Sequence, residues 1–251
     1  MLRTFAKHFL FSMSYIIDQQ KLSERILSIV RIIAVPSGLY IFLSFIILAF
    51  LYMIGFSAVL GSFGELVKIS ADPELLEELI LTNSSGILVL NVTLSIILQY
   101  LLSGIYGMIK SSETSPIIGL GSAYKALFSI RGLKVLNVII IVQLLSSTFS
   151  FLLNAAGFGM VGFALGILLQ FLTYFMVPAI YADNCSLWNS LTFSVKTVNE
   201  KPGLLFVFMS ITYILSLAGL LFLGIGIIFT LPLNYIVAFS LYGHISEQFK
   251  D

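Results

Sequence analysis

His244 and Glu247 stand three residues apart, a spacing that sets an imidazole and a carboxylate on one helix face and is the nearest approach to a metal-ligand pattern in the chain. A zinc site needs further ligands. The second histidine, His8, lies at the opposite end, and the single cysteine, Cys185, has no partner for a disulfide or a ligand pair. No phosphate-binding loop, dinucleotide fingerprint or nucleophile elbow occurs. The His244–Glu247 pair therefore reads as a surface pair, no cofactor or metal is expected, and the chain is read as not being an enzyme.

Neutral polar residues give a stronger pattern. Asn91, Ser95, Gln99 and Ser103 recur every four residues, and Gln143, Ser147, Ser150 and Asn154 follow three-to-four spacing, so each set keeps to one helix face. Two readings stand side by side. The sets form a polar seam that takes a lipid headgroup or a small neutral solute, or they are interhelical hydrogen-bonding groups worth roughly 0.6–2 kcal/mol per contact in a membrane. Gly162-x-x-x-Gly166 reads first as a close-packing site.

Those faces need helices in a bilayer to carry them. Hydrophobic residues make up 59% of the chain and charged residues 10%, against roughly 25% charge in a soluble domain. An all-α membrane protein with six transmembrane helices follows. The apolar segments are 39–60, 86–109, 135–156, 160–181, 203–223 and 227–243, each near the ~20 residues that hydrocarbon requires. Residues 34–251 form a single transmembrane domain, preceded by amphipathic interfacial helices within 1–33. The short apolar stretch near the start is broken by Ser12 and Ser14, so it reads as an amphipathic segment and not as a signal peptide.

Pro36-Ser37-Gly38 marks the start of the first span, and Asp72-Pro73 opens a short helix in the acidic loop 61–85. That loop holds Asp72, Glu74, Glu77 and Glu78, either as a solvated cap or as a partner-binding surface. Asp183 lies at a span boundary, where it caps the following helix, pairs with Lys196 or marks a functional site. None of the six spans contains an ionisable residue, which argues against ion- or proton-coupled transport.

Sorted by loop, twelve of the thirteen basic residues fall on one side of the six-span order and only Lys68 falls on the other. Both termini are thus expected in the cytoplasm and the acidic loop outside. Basic residues spread over several membrane-flanking segments suit anionic lipid, and nucleic acid is not an expected partner.

The order of amphipathic surface helix, span, turn and span recurs from near Ser23, Ser115 and Ser186, which suggests three hairpins, each preceded by a cytoplasmic surface helix. Phe128-Ser129-Ile130-Arg131 matches Phe193-Ser194-Val195-Lys196 locally, and Gly157-Phe158-Gly159 matches Gly224-Ile225-Gly226. Pro178, Asp183, the stretch Ser186-Leu187-Trp188-Asn189-Ser190-Leu191, Ser194-Val195-Lys196, Gly224-Ile225-Gly226, Pro232 and Tyr242 follow one another in an order that resembles a known group. It is the group of uncharacterised bacterial six-span membrane proteins related to the membrane domain of some glycerophosphodiester phosphodiesterases. The resemblance covers about 115–242. It implies a multi-pass protein of the bacterial cytoplasmic membrane and carries no catalytic residues.

Two functions remain in view. The first is a non-enzymatic integral membrane protein, an accessory subunit in kind, that organises, protects or assembles a membrane or envelope partner. The alternative is a carrier or flippase-like conduit for a lipid or small hydrophobic solute along the seam.

Overall fold

The computed structural model describes residues 19–61, 82–219 and 226–248. Among these the chain forms nine helices and no strand. Three of them, and the stretch Gly159–Asp183 that carries two more in succession, are long and apolar enough to cross a membrane, which makes four spans, or five if one bent pair counts as a single span. The protein is thus an all-helical membrane protein.

Helix α1, Gln19–Leu60, runs unbroken for 42 residues. At 1.5 Å per residue it is about 63 Å long, twice the ~30 Å of hydrocarbon, so much of it must tilt or stand outside. The expected division between an interfacial segment ending at residue 33 and a span starting at 39 is absent. Pro36 lies inside the helix, where it removes one backbone donor. Next to it the Ser37 hydroxyl donates to the Ile33 carbonyl at 2.6 Å. Ile33, Ser37, Tyr40, Ile41 and Ser44 share one fully buried face. Packing on that face keeps the helix continuous through its proline.

That face meets the central helix α2, Ser84–Ser112. Residues Leu102 to Ile109 of α2 are buried on all sides. A helix that is apolar all round belongs at the centre of a bundle. Around α2 pack α1, the short α3 (Gly121–Leu127), α4 (Ile130–Ala155), α6 (Met176–Asp183) and α9 (Ile227–Gln248). Two glycines permit the closeness: a Cβ on Gly104 would press on the Tyr40 hydroxyl, and one on Gly107 would strike Ala126 of α3. Tyr40 instead donates to the Leu101 carbonyl at 2.6 Å.

The expected fourth span is discontinuous. Helix α5, Gly159–Leu172, stops, three residues turn, and α6 resumes at Met176. Pro178 sits in the first turn of α6, where its missing N–H costs nothing but an uninterrupted helix could not supply a donor to the Tyr174 carbonyl. The opened backbone is closed from outside. Ser194, fully buried on helix α7 (Leu187–Glu200), donates to the Leu172 carbonyl at 2.6 Å and accepts from the Phe175 N–H at 3.1 Å.

Ser186 caps α7 by accepting from the Asn189 N–H at 3.2 Å, and α7 turns through 103° into α8, Pro202–Ala218, with Pro202 at the first helical position. The face that α7 packs inward is Ser190, Ser194, Thr197 and Val198, mostly small hydroxyl residues, while Trp188 points away.

The local match between the second and third copies of the repeat is not structural. Phe128 and Ser129 close α3 and cap α4, with Ser129 accepting from the Gly132 N–H at 3.1 Å. Phe193 and Ser194 lie in the middle of α7. The same residue types serve a helix start in one place and a side-on backbone repair in the other.

Ser194→Ala should leave two buried backbone groups unpaired and lower stability by about 1–3 kcal/mol in denaturant titrations of detergent-solubilised protein. Ser44 is equally buried but donates within its own helix, to the Tyr40 carbonyl at 2.9 Å, so Ser44→Ala should cost less, about 0.5 kcal/mol. Equal losses would show that Ser194 does not hold the break.

Candidate functional site

Helices α2 and α4 bring the two polar sets together at their centre. Gln99 Nε2 donates to Gln143 Oε1 at 2.9 Å and to Ser95 Oγ at 3.2 Å, and Gln143 Nε2 donates to Ser147 Oγ at 3.4 Å. Both amide donors of Gln99 are used within this four-residue ladder. The groups are half-buried, so the ladder ties two helices with bonds that water would otherwise take.

The outer members of the two sets turn elsewhere. Asn91 accepts from the Tyr52 hydroxyl of α1 at 3.3 Å. Ser103 donates to the Tyr100 carbonyl at 2.7 Å and lies 3.4 Å from the Tyr181 hydroxyl on α6. Ser150 donates to the Gly162 carbonyl of α5 at 3.3 Å. Asn154 is exposed near the start of α5, where a Cβ on Gly159 would meet its Oδ1 at 2.8 Å. A helix face is about 100° wide and α2 has different neighbours at different levels, so residues on one stripe meet different partners along its length. Gly162 and Gly166 lie against Ser150 and Ser146, which puts the small-residue motif at the α4–α5 contact.

A second group gathers where α2 ends, α4 begins and α6 stops. Arg131 Nη1 donates to the Tyr181 carbonyl at 3.2 Å, and Lys134 Nζ donates to the Asn184 carbonyl at 3.3 Å and to Asn184 Oδ1 at 3.1 Å. Asn184 has φ 55°, the left-handed conformation that closes helices. The two cations thereby meet the free carbonyls and negative dipole of the α6 C-terminus. Asp183 accepts from the Tyr242 hydroxyl of α9 at 2.5 Å, while Lys196 Nζ lies 3.9 Å from Glu200 Oε1. On the same level Glu113 accepts from Arg25 at 2.9 Å and from Lys110 at 2.7 Å, tying α1 to α2. Arg25 lies flat against Gly243 of α9, where a Cβ would approach its guanidinium to 2.5 Å.

The charged residues among the described ones lie at this end of the bundle, on α7, or, for Lys201, at the turn from α7 into α8. Burial, and after it the Asp183 carboxylate, pushes the Cys185 thiol up, with Tyr242 and Lys134 acting in the opposite sense. Cys185 is therefore a poor nucleophile near neutral pH. Among the described residues no three His, Cys, Asp or Glu side chains converge as metal ligands. Asp72, Glu74, Glu77, Glu78 and His8 lie outside the described residues.

Three features escaped the sequence reading. The role of Ser194 gave no signal, because it depends on a break in another helix. Thr230 donates to the Ser216 carbonyl at 2.8 Å and joins α8 to α9. Thr212 and Ser216 show the same four-residue spacing as the sets on α2 and α4, and that spacing was the available clue. Tyr106 packs its ring 5.2 Å from Tyr235, 6.1 Å from Tyr181 and 6.3 Å from Phe239, an aromatic centre drawn from three separate helices.

Gln99→Leu and Gln143→Leu should each destabilise the bundle, and a double-mutant cycle should return a coupling of about 0.6–2 kcal/mol. Zero coupling would remove the ladder as a helix–helix tie. Asp183→Asn removes a charge that holds the Cys185 thiol up, so the thiolate fraction should rise and maleimide labelling at a fixed pH near 8 should become faster. An unchanged rate would show that the Asp183 carboxylate does not hold that thiol up.

No family model, curated protein or solved structure matches this chain. The resemblance carried by the residues from Pro178 to Tyr242 stands on those residues alone.

Proposed function

We propose that the chain is a six-span, multi-pass protein of the bacterial cytoplasmic membrane, with three hairpins and both termini in the cytoplasm, and that it organises, protects or assembles a membrane or envelope partner without catalysing a reaction. The observation that carries this reading is the ladder of Ser95, Gln99, Gln143 and Ser147, in which the Gln99–Gln143 bond joins α2 to α4 and each glutamine also bonds a serine of its own helix. The charged end supports it, since Arg131, Lys134, Arg25 and Glu113 are engaged in holding helices together. On this reading the acidic loop, with Asp72, Glu74, Glu77 and Glu78, faces outward and meets the partner.

A second reading, a carrier or flippase-like conduit for a lipid or small hydrophobic solute, draws on the break between α5 and α6. Discontinuous spans are common at transporter binding sites, although here Ser194 already occupies the opened backbone.

Native mass spectrometry of the protein taken from its own membrane in nanodiscs tests the choice. A stoichiometric second polypeptide, lost when Glu74, Glu77 and Glu78 are together changed to Lys, is the expected result. A bound lipid or small molecule that disappears in a folded Gln99→Leu/Gln143→Leu protein would favour the conduit instead.

A further inference from the structure

Three large side chains at the charged end are left uncovered by the rest of the chain: Phe128 is 81% exposed, Ile130 75% and Trp188 74%. Phe128 and Ile130 flank the Ser129 cap at the α3–α4 corner, and Trp188 is the second residue of α7. The two corners are fastened together by the bonds from Lys134 to Asn184 and from Arg131 to Tyr181. The uncovered apolar groups therefore stand beside Lys125, Arg131 and Lys134. Asp183, at the end of α6, is held by Tyr242.

Apolar and aromatic groups beside clustered cations are what the headgroup region of an anionic leaflet accepts, because the rings bury at the acyl boundary while the cations meet phosphate. A soluble partner would have to cover the same rings and cations without help from the bilayer. The 103° turn between α7 and α8 agrees with a membrane seat: when α8 crosses the bilayer, α7 lies close to its plane.

We infer that the α3–α4 and α6–α7 corners form a binding site for an anionic phospholipid headgroup, with Trp188, Phe128 and Ile130 inserted at the interface, the exposed Lys125 facing the phosphate, and Arg131 and Lys134, which also bond the α6 carbonyls, adding positive charge beside it. The site rests on the reading of α4 and α8 as membrane spans and gives the bilayer partner a defined place on the protein.

Trp188 is the only tryptophan in the chain, so its fluorescence reports this corner alone. The full chain would be reconstituted in vesicles of phosphatidylcholine mixed with phosphatidylglycerol, with one or the other lipid brominated at equal mole fraction. The expected result is a blue-shifted emission quenched more by brominated phosphatidylglycerol than by brominated phosphatidylcholine. Raising the salt should erase that preference, and Lys125→Gln, an exposed substitution, should weaken it by up to about fivefold. Equal quenching by the two lipids overturns headgroup selection. Emission like that of free tryptophan, with full access to acrylamide, overturns the membrane seat. In both cases a chain that resists alkaline carbonate extraction keeps its spans, whereas a chain released by carbonate removes the spanning reading itself.

Discussion

Hydrocarbon offers no hydrogen-bond partner, so every backbone group that leaves the helical ladder inside a bilayer must find one within the protein. The structure depends on how it meets that demand at Pro178. The span carrying this proline opens at 173–175, and Ser194, from a helix that runs across it, supplies both an acceptor and a donor to the opened backbone. The inward face of α7 is accordingly built of small hydroxyl residues. A bulky apolar face would have held α7 too far away to reach.

The same demand organises the rest of the charged end. The last carbonyls of α6 are met by Arg131 and Lys134, and Asn184 takes the left-handed conformation that ends the helix. Arg25 and Lys110 share Glu113, while Gly243 leaves room for the Arg25 guanidinium. These charges act as ties between α1, α2, α4, α6 and α9. Each tie is modest when exposed to water, and their common position concentrates them where the bundle is most buried.

Away from that end the helices carry long apolar faces, among them Phe50, Met53 and Ile54 of α1 and Phe163, Ile167 and Leu168 of α5, as a lipid solvent allows. Between the two regions polar contacts are few and spaced along the helices. The Gln99–Gln143 ladder joins α2 to α4, the Tyr52–Asn91 bond joins α1 to α2, and Thr230 with Ser216 joins α8 to α9. Such bonds add direction to packing that dispersion alone leaves loosely specified.

Helical class, membrane residence, the crowding of cations at one end and the polar stripes at 91–103 and 143–154 were legible in the sequence, because each depends on hydropathy and spacing along one segment. Tertiary structure alone decided that Pro36 lies within a continuous helix, since the Tyr40 face is held against α2 and α9 whatever the local preference of a proline. It alone split the two stripes among α1, α4, α5 and α6, because a helix that meets different neighbours along its length gives each level a different partner. The two four-residue matches around Ser129 and Ser194 were indistinguishable in sequence, and one became a cap and the other a backbone repair. What a serine does is set by which unsatisfied group stands opposite it, and that is a property of the assembled bundle.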